Sequence, residues 1–158
     1  MMRLGFVFAV VLGFASASVS APAMAQDDAA RVTGAGEAIF PDGATLNGLT
    51  LSGLTLGQGV SFAQDGSATG QFQAVLYGTS LLGARQAVTV EGEVRNGFAV
   101  GLGSATFSGT ATVDMGDGTP PLPGVPFTVT ASTGSLGLIL GATALPTAAV
   151  TAGSITIE

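Results

Sequence analysis

Ala87-Val88-Thr89-Val90-Glu91-Gly92-Glu93-Val94-Arg95 is the stretch that decides the fold. Val88, Val90 and Val94 fall on one side of an extended chain, with Gly92 between them. Thr89, Glu91, Glu93 and Arg95 fall on the other. Side chains alternate across a pleated strand, so this order sorts into a dry face and a wet one. A helix would scatter the same residues around its axis.

The same sorting recurs on both sides of this strand. Upstream, Phe72, Ala74 and Leu76 oppose Thr69, Gln71 and Gln73. Downstream, Ala105, Phe107, Ala111 and Val113 oppose Thr106, Ser108, Thr110 and Thr112. Phe127 and Val129 oppose Thr128 and Thr130, Leu136, Leu138 and Leu140 alternate, and Ile155 and Ile157 point inward in a last strand over 154–158. Turn chemistry joins the runs. Gln64-Asp65-Gly66-Ser67 precedes the strand starting at Ala68, and Asp-Gly suits a type I′ hairpin. Asn96-Gly97 predicts a second such turn between Val94 and Phe98. Gly116 to Pro123 reads as a stiff loop, because proline cannot donate to a ladder. After Leu140, Gly141 and Pro146 predict a loop. The sum is an all-β chain of about 8–10 short strands, an antiparallel sandwich or a small barrel. No segment has the period of a crossover helix, which excludes a parallel α/β sheet. Asn47-Gly48-Leu49-Thr50-Leu51 is echoed by Ser52-Gly53-Leu54-Thr55-Leu56, but two copies are too few for a solenoid, so they read as a glycine-kinked strand pair.

Residues 1–25 stand apart. Arg3 supplies a positive start, Leu4 to Ala15 an apolar run, and Ala23-Met24-Ala25 a small-x-small cleavage signal. A membrane span needs about 20 apolar residues, and this run breaks at Ser16, Ser18, Ser20 and Pro22. Residues 1–25 therefore read as a cleaved signal peptide and residues 26–158 as a single all-β domain, exported to the periplasm or the extracellular space, with no membrane span once the signal is removed.

Composition removes many chemistries. Among 158 residues there is no Cys, His, Lys or Trp. That excludes a disulfide, a thiolate zinc site, a Ser-His-Asp triad and a Schiff-base lysine. A formal net charge of -6 disfavours nucleic acid and anionic lipid. No cofactor is expected.

The order of segments is similar to a known class. Val32-Thr33-Gly34-Ala35-Gly36 opens the domain, and Val60-Ser61-Phe62 and Gly70-Gln71-Phe72 follow. Then come the run from Ala105 to Val113, Pro126-Phe127-Thr128-Val129-Thr130, and the closing Ala152-Gly153-Ser154-Ile155-Thr156-Ile157. Together these resemble the bacterial secreted all-β module called the post-COAP domain. The resemblance implies an exported β module without an assigned catalytic activity, and so carries over no catalytic residues. Leu46–Leu56 and Gly118–Pro126 depart from that pattern.

Four groups of side chains invite a chemical reading. Glu91 and Glu93 share one strand face, about 6.5–7 Å apart along the strand. Paired carboxylates at about 5–9.5 Å serve glycoside hydrolysis, but Arg95 on the same face makes a solvated charged surface the simpler reading. Asp114 and Asp117, in Asp114-Met115-Gly116-Asp117-Gly118, are calcium candidates. Calcium takes six to eight oxygens, and Asp-Gly sequences also simply make turns. Thr106, Thr110, Thr112, Thr128 and Thr130 could form a flat hydroxyl surface for ice or crystalline polysaccharide, though threonine is ordinary on an exposed strand face. Gly101-Leu102-Gly103 and Gly34-Ala35-Gly36 look like nucleotide loops, but no helix follows either.

The expectation is an exported, non-enzymatic β module with a binding or structural role and an envelope or extracellular partner. Two alternatives remain open. One is a small outer-membrane β-barrel. The other is a secreted hydrolase using Glu91 and Glu93.

Overall fold

A computed structural model describes residues 28–158, so the expected signal peptide and its cleavage point lie outside the described residues. The chain forms β1 (Asp28–Ile39), β2 (Thr45–Leu46), β3 (Leu49–Ala63), β4 (Ser67–Thr79), β5 (Arg85–Val100), β6 (Ser104–Asp114), β7 (Leu122–Ser132), β8 (Ser135–Leu140), β9 (Thr143–Ala144) and β10 (Ala148–Ile157). Every ladder is antiparallel. The sheet runs β1-β10-β8-β7-β6-β5-β4-β3-β2, and β1 also pairs with β3. The path therefore returns to its start. Of the two architectures left open above, this is the barrel: one continuous sheet closed through β1, with β2 and β9 as short additions to β3 and β8.

The strands are longer than expected. β3, β4 and β5 run 15, 13 and 16 residues despite their glycines. Glycine weakens a strand but does not end it when it faces a close neighbour. Register shifts at Leu51/Gly53, Ser67/Gly70, Val94/Asn96 and Ala111/Val113 absorb the curvature that closure demands.

The interior is the core. Val88, Val90, Val94, Phe72, Ala74, Leu76, Ala105, Phe107, Ala111, Val113, Phe127, Val129, Leu136, Leu138, Leu140, Ile155 and Ile157 are all buried, as the alternation required. Phe72 stacks on Phe127 at 5.7 Å and meets Phe107 edge-on at 6.1 Å. Glycine makes room for these rings. A Cβ on Gly92 would lie 2.6 Å from Cε1 of Phe127.

Several local expectations are corrected. Asn96-Gly97 is no turn; it lies within β5, opposite Ser108 and Phe107 of β6. A Cβ at Gly97 would stand 2.6 Å from the Phe62 ring and 2.9 Å from Cβ of Phe107, so this glycine serves packing. The hairpin instead turns at Gly101-Leu102-Gly103. The Asp65-Gly66 turn is where it was expected, but only Gly66 has positive φ (83°), so it is not type I′. The stretch after Leu140 is not simply a loop: β9 folds back on β8, and β10 begins at Ala148, earlier than the expected 154. The echoed repeat is no strand pair: Asn47-Gly48 turns β2 into β3, with φ of 48° and 84°, and the rest of both copies runs on in β3, while Pro123 of the expected stiff loop lies in β7.

The meander gives the barrel two ends. The lower end carries the start of β1, the end of β10, and the β3–β4, β5–β6 and β7–β8 turns. The upper end carries the β2 and β9 hairpins, the β4–β5 turn and the β6–β7 loop.

Candidate functional site

Glu91 and Glu93 project outward from the middle of β5. Glu91 lies between Gln73 of β4 and Thr112 of β6, and Glu93 between Gln71 and Thr110. These side chains, with Gly124, border a shallow depression of about 370 Å³ on the outer wall. Both glutamates are exposed. Glu93 Oε2 lies 3.8 Å from Arg95 Nη2, with the side chains of Arg95 and Glu93 65% and 76% exposed, so the pair contributes little to stability. A polar, open wall can make hydrogen bonds to a ligand, but it does not exclude water as hydrolytic sites normally do.

Of the calcium candidates, Asp114 ends β6 and Asp117 sits in the β6–β7 loop, and both bond locally. Asp114 Oδ1 accepts the Gly116 N–H at 2.8 Å. Asp117 Oδ1 accepts the Thr119 N–H at 2.9 Å and the Thr119 hydroxyl at 2.6 Å. Asp65 repeats this arrangement with Ser67, at 2.9 and 2.6 Å. Such bonds stabilise the ionised form, and they hold the carboxyls of Asp117 and Asp65 below the ordinary aspartate range. Among the described residues no three His, Cys, Asp or Glu side chains gather where they could hold a metal. The geometry is that of turns, in which an aspartate caps its own backbone two residues on.

The threonines share the outer wall without forming one array. Thr106 and Thr130 face each other, with their hydroxyls 3.3 Å apart. Thr128 faces Ser108, whereas Thr110 and Thr112 line up with Glu93 and Glu91.

Sequence reasoning missed the exposed apolar residues. At the upper end Leu81 and Leu82 are 90% and 97% exposed in the β4–β5 turn. Beside the β6–β7 loop, Leu46, Val113, Met115, Leu122, Val125 and Leu140 line an apolar pocket of about 260 Å³ at the barrel mouth. Gln86 Nε2 donates to the Met115 carbonyl at 2.6 Å and ties that loop to β5. At the lower end Phe98, Val100 and Leu102 are 57%, 64% and 74% exposed. A signal existed for Leu81-Leu82, since two adjacent residues of an alternating chain cannot both face inward. None existed for Phe98. The bulge between Val94 and Asn96 reverses the phase of β5, which turns Gly97 inward and Phe98 out.

No protein-family model, no curated protein and no solved structure matches this chain.

Proposed function

We propose that this chain is an exported, non-enzymatic β-barrel module that acts by presenting surfaces, in binding or in building a structure at the cell envelope or outside the cell. The observation that carries this reading is the distribution of side chains. Apolar residues fill the interior, Thr, Gln and Glu cover the wall around Glu91, and exposed apolar residues gather toward the two barrel ends, on turns (Leu81, Leu82, Leu102) and on the strand ends beside them (Phe98, Val100, Leu122). A barrel filled by its own side chains is a rigid support, and binding loops are commonly carried on such supports. The resemblance to the post-COAP domain fits the same class. Against a lipid-embedded barrel stands the polar outer wall, where a band of apolar residues is needed. Against a hydrolase stand the exposure of Glu91 and Glu93 and the Glu93–Arg95 pair.

The test expresses the full chain in a secreting host. Intact mass of the exported protein should place its first residue at Gln26, and it should stay monodisperse without detergent. Retention of residues 1–25 in a soluble exported form overturns the export reading. A need for detergent favours the membrane barrel. Hydrolysis of a glycan panel that is lost in Glu91→Gln favours the hydrolase.

A further inference from the structure

The barrel wall has one incomplete seam. β8 and β10 share only the rungs Ala148↔Leu136 and Ala149↔Ser135. Below them the β7–β8 hairpin has already turned, and the last contact is the Val150 N–H donated to the Gly134 carbonyl. From Thr151 to Ile157, β10 has β1 on one side and no strand on the other among the described residues. Thr151, Ala152, Gly153 and Ser154 are exposed in succession, where the bulge at Thr151 interrupts the alternation and no neighbouring strand covers the segment among the described residues.

The hydrogen-bonding phase of this edge follows from its end. Arg31 and Glu158 exchange both backbone bonds, at 2.8 and 2.9 Å. Bonded residues alternate along an antiparallel ladder, so Thr156 and Ser154 also bond to β1. Ile155 and Ile157 then direct their N–H and C=O groups toward the open side. Natural edges are blunted by lysine, proline, an inward charge or a bulge. Between Thr151 and Ile157 this one has no lysine, proline or inward charge; its one such device is the bulge at Thr151, beside Gly153 at φ 83°, and from Gly153 to Ile157 the register with β1 runs unbroken.

We propose that this edge pairs with the same edge of a second copy of the chain, joining two barrels through an antiparallel β10–β10 ladder about a two-fold axis at Ile155. With the axis there, Ile155 faces Ile155 of the other copy, Ile157 faces Gly153, and Ser154 faces Thr156. Both members of the Ile155 pair have their free groups on the shared side, and a bonded pair exchanges both N–H···O bonds. Glu158 falls opposite Ala152, so no like charges meet. A two-fold contact needs only one self-complementary patch, which an antiparallel strand edge supplies. The interface would stand whether or not the chain is exported.

Sedimentation velocity of the purified protein across a dilution series tests this, with amide hydrogen exchange read at Ile155 and Ile157. The expected result is a monomer–dimer equilibrium in which both amides lose protection on dilution. In the Ser154→Lys/Thr156→Lys double variant, like charges face each other in two cross-strand pairs. That variant should be monomeric, with an unchanged circular dichroism spectrum. A wild-type monomer at every concentration overturns the proposal. So does a dimer whose Ile155 and Ile157 exchange is indifferent to dilution, a readout that does not require the variant to fold.

Discussion

Phe107→Ala and Thr106→Ala, adjacent in β6, should differ in stability several-fold, and the structure sets the size of each effect. Phe107 is 1% exposed, faces the barrel axis and meets Phe72 edge-on at 6.1 Å. Removing a buried ring costs about 3–5 kcal/mol, including transfer of the lost atoms and the cavity left behind. The walls of a closed barrel are tied on both sides, so the cavity can collapse little, and the upper part of that range applies. Thr106 points outward and is only partly buried, with one hydroxyl contact to Thr130 at 3.3 Å. Its loss should cost under about 1 kcal/mol. A domain of this length shifts its melting temperature by about 3–5 °C per kcal/mol. Thermal melts followed by circular dichroism should therefore fall by about 12–25 °C for Phe107→Ala and by less than about 5 °C for Thr106→Ala. Equal shifts would mean that the register of β6 is wrong, because a one-residue slip exchanges the two faces.

Gly92→Ala should cost about 1–3 kcal/mol by overpacking, since its Cβ would press 2.6 Å from the Phe127 ring. Phe127→Leu should relieve part of that cost, and purely additive effects in a double-mutant cycle would refute the contact. Gln58 is 8% exposed on the inward face of β3, and among the described residues no group bonds its buried Nε2 and Oε1. Gln58→Leu should thus raise the denaturation midpoint by the equivalent of about 1–3 kcal/mol; a lowered midpoint would show that the amide has a partner after all. Ser67→Ala and Thr119→Ala should raise the carboxyl pKa of Asp65 and Asp117 respectively, read by carbon NMR titration. The folded-state values are depressed, so this contribution to stability is complete above the unfolded value of about 3.9 and is lost as pH falls through the lowered folded value. Wild-type carboxyls titrating like free aspartate would remove the cause assigned to them.

The sequence by itself determined which residues are buried in most strands. The two-residue period of a strand is local, so Val88, Val90 and Val94, or Phe72, Ala74 and Leu76, declare their face without knowledge of any partner. It also showed that Asp65, Asp114 and Asp117 lie among turn residues, since an aspartate caps backbone only two residues away. The outward direction of Glu91 and Glu93 followed from their valine neighbours. What only the tertiary structure decided depends on residues far apart in the chain. Closure into a barrel rests on β1 reaching both β3 and β10. The reading of Asn96-Gly97 as a turn failed because Phe62, on β3, occupies the space above Gly97. That packing places a bulge in β5, reverses its phase and exposes Phe98. The open edge of β10 likewise reflects how few residues β8 offers it before the β7–β8 turn. Local alternation sets a side chain's face, but bulges, closure and free edges are set by the length and register of strands on either side, which no single segment encodes.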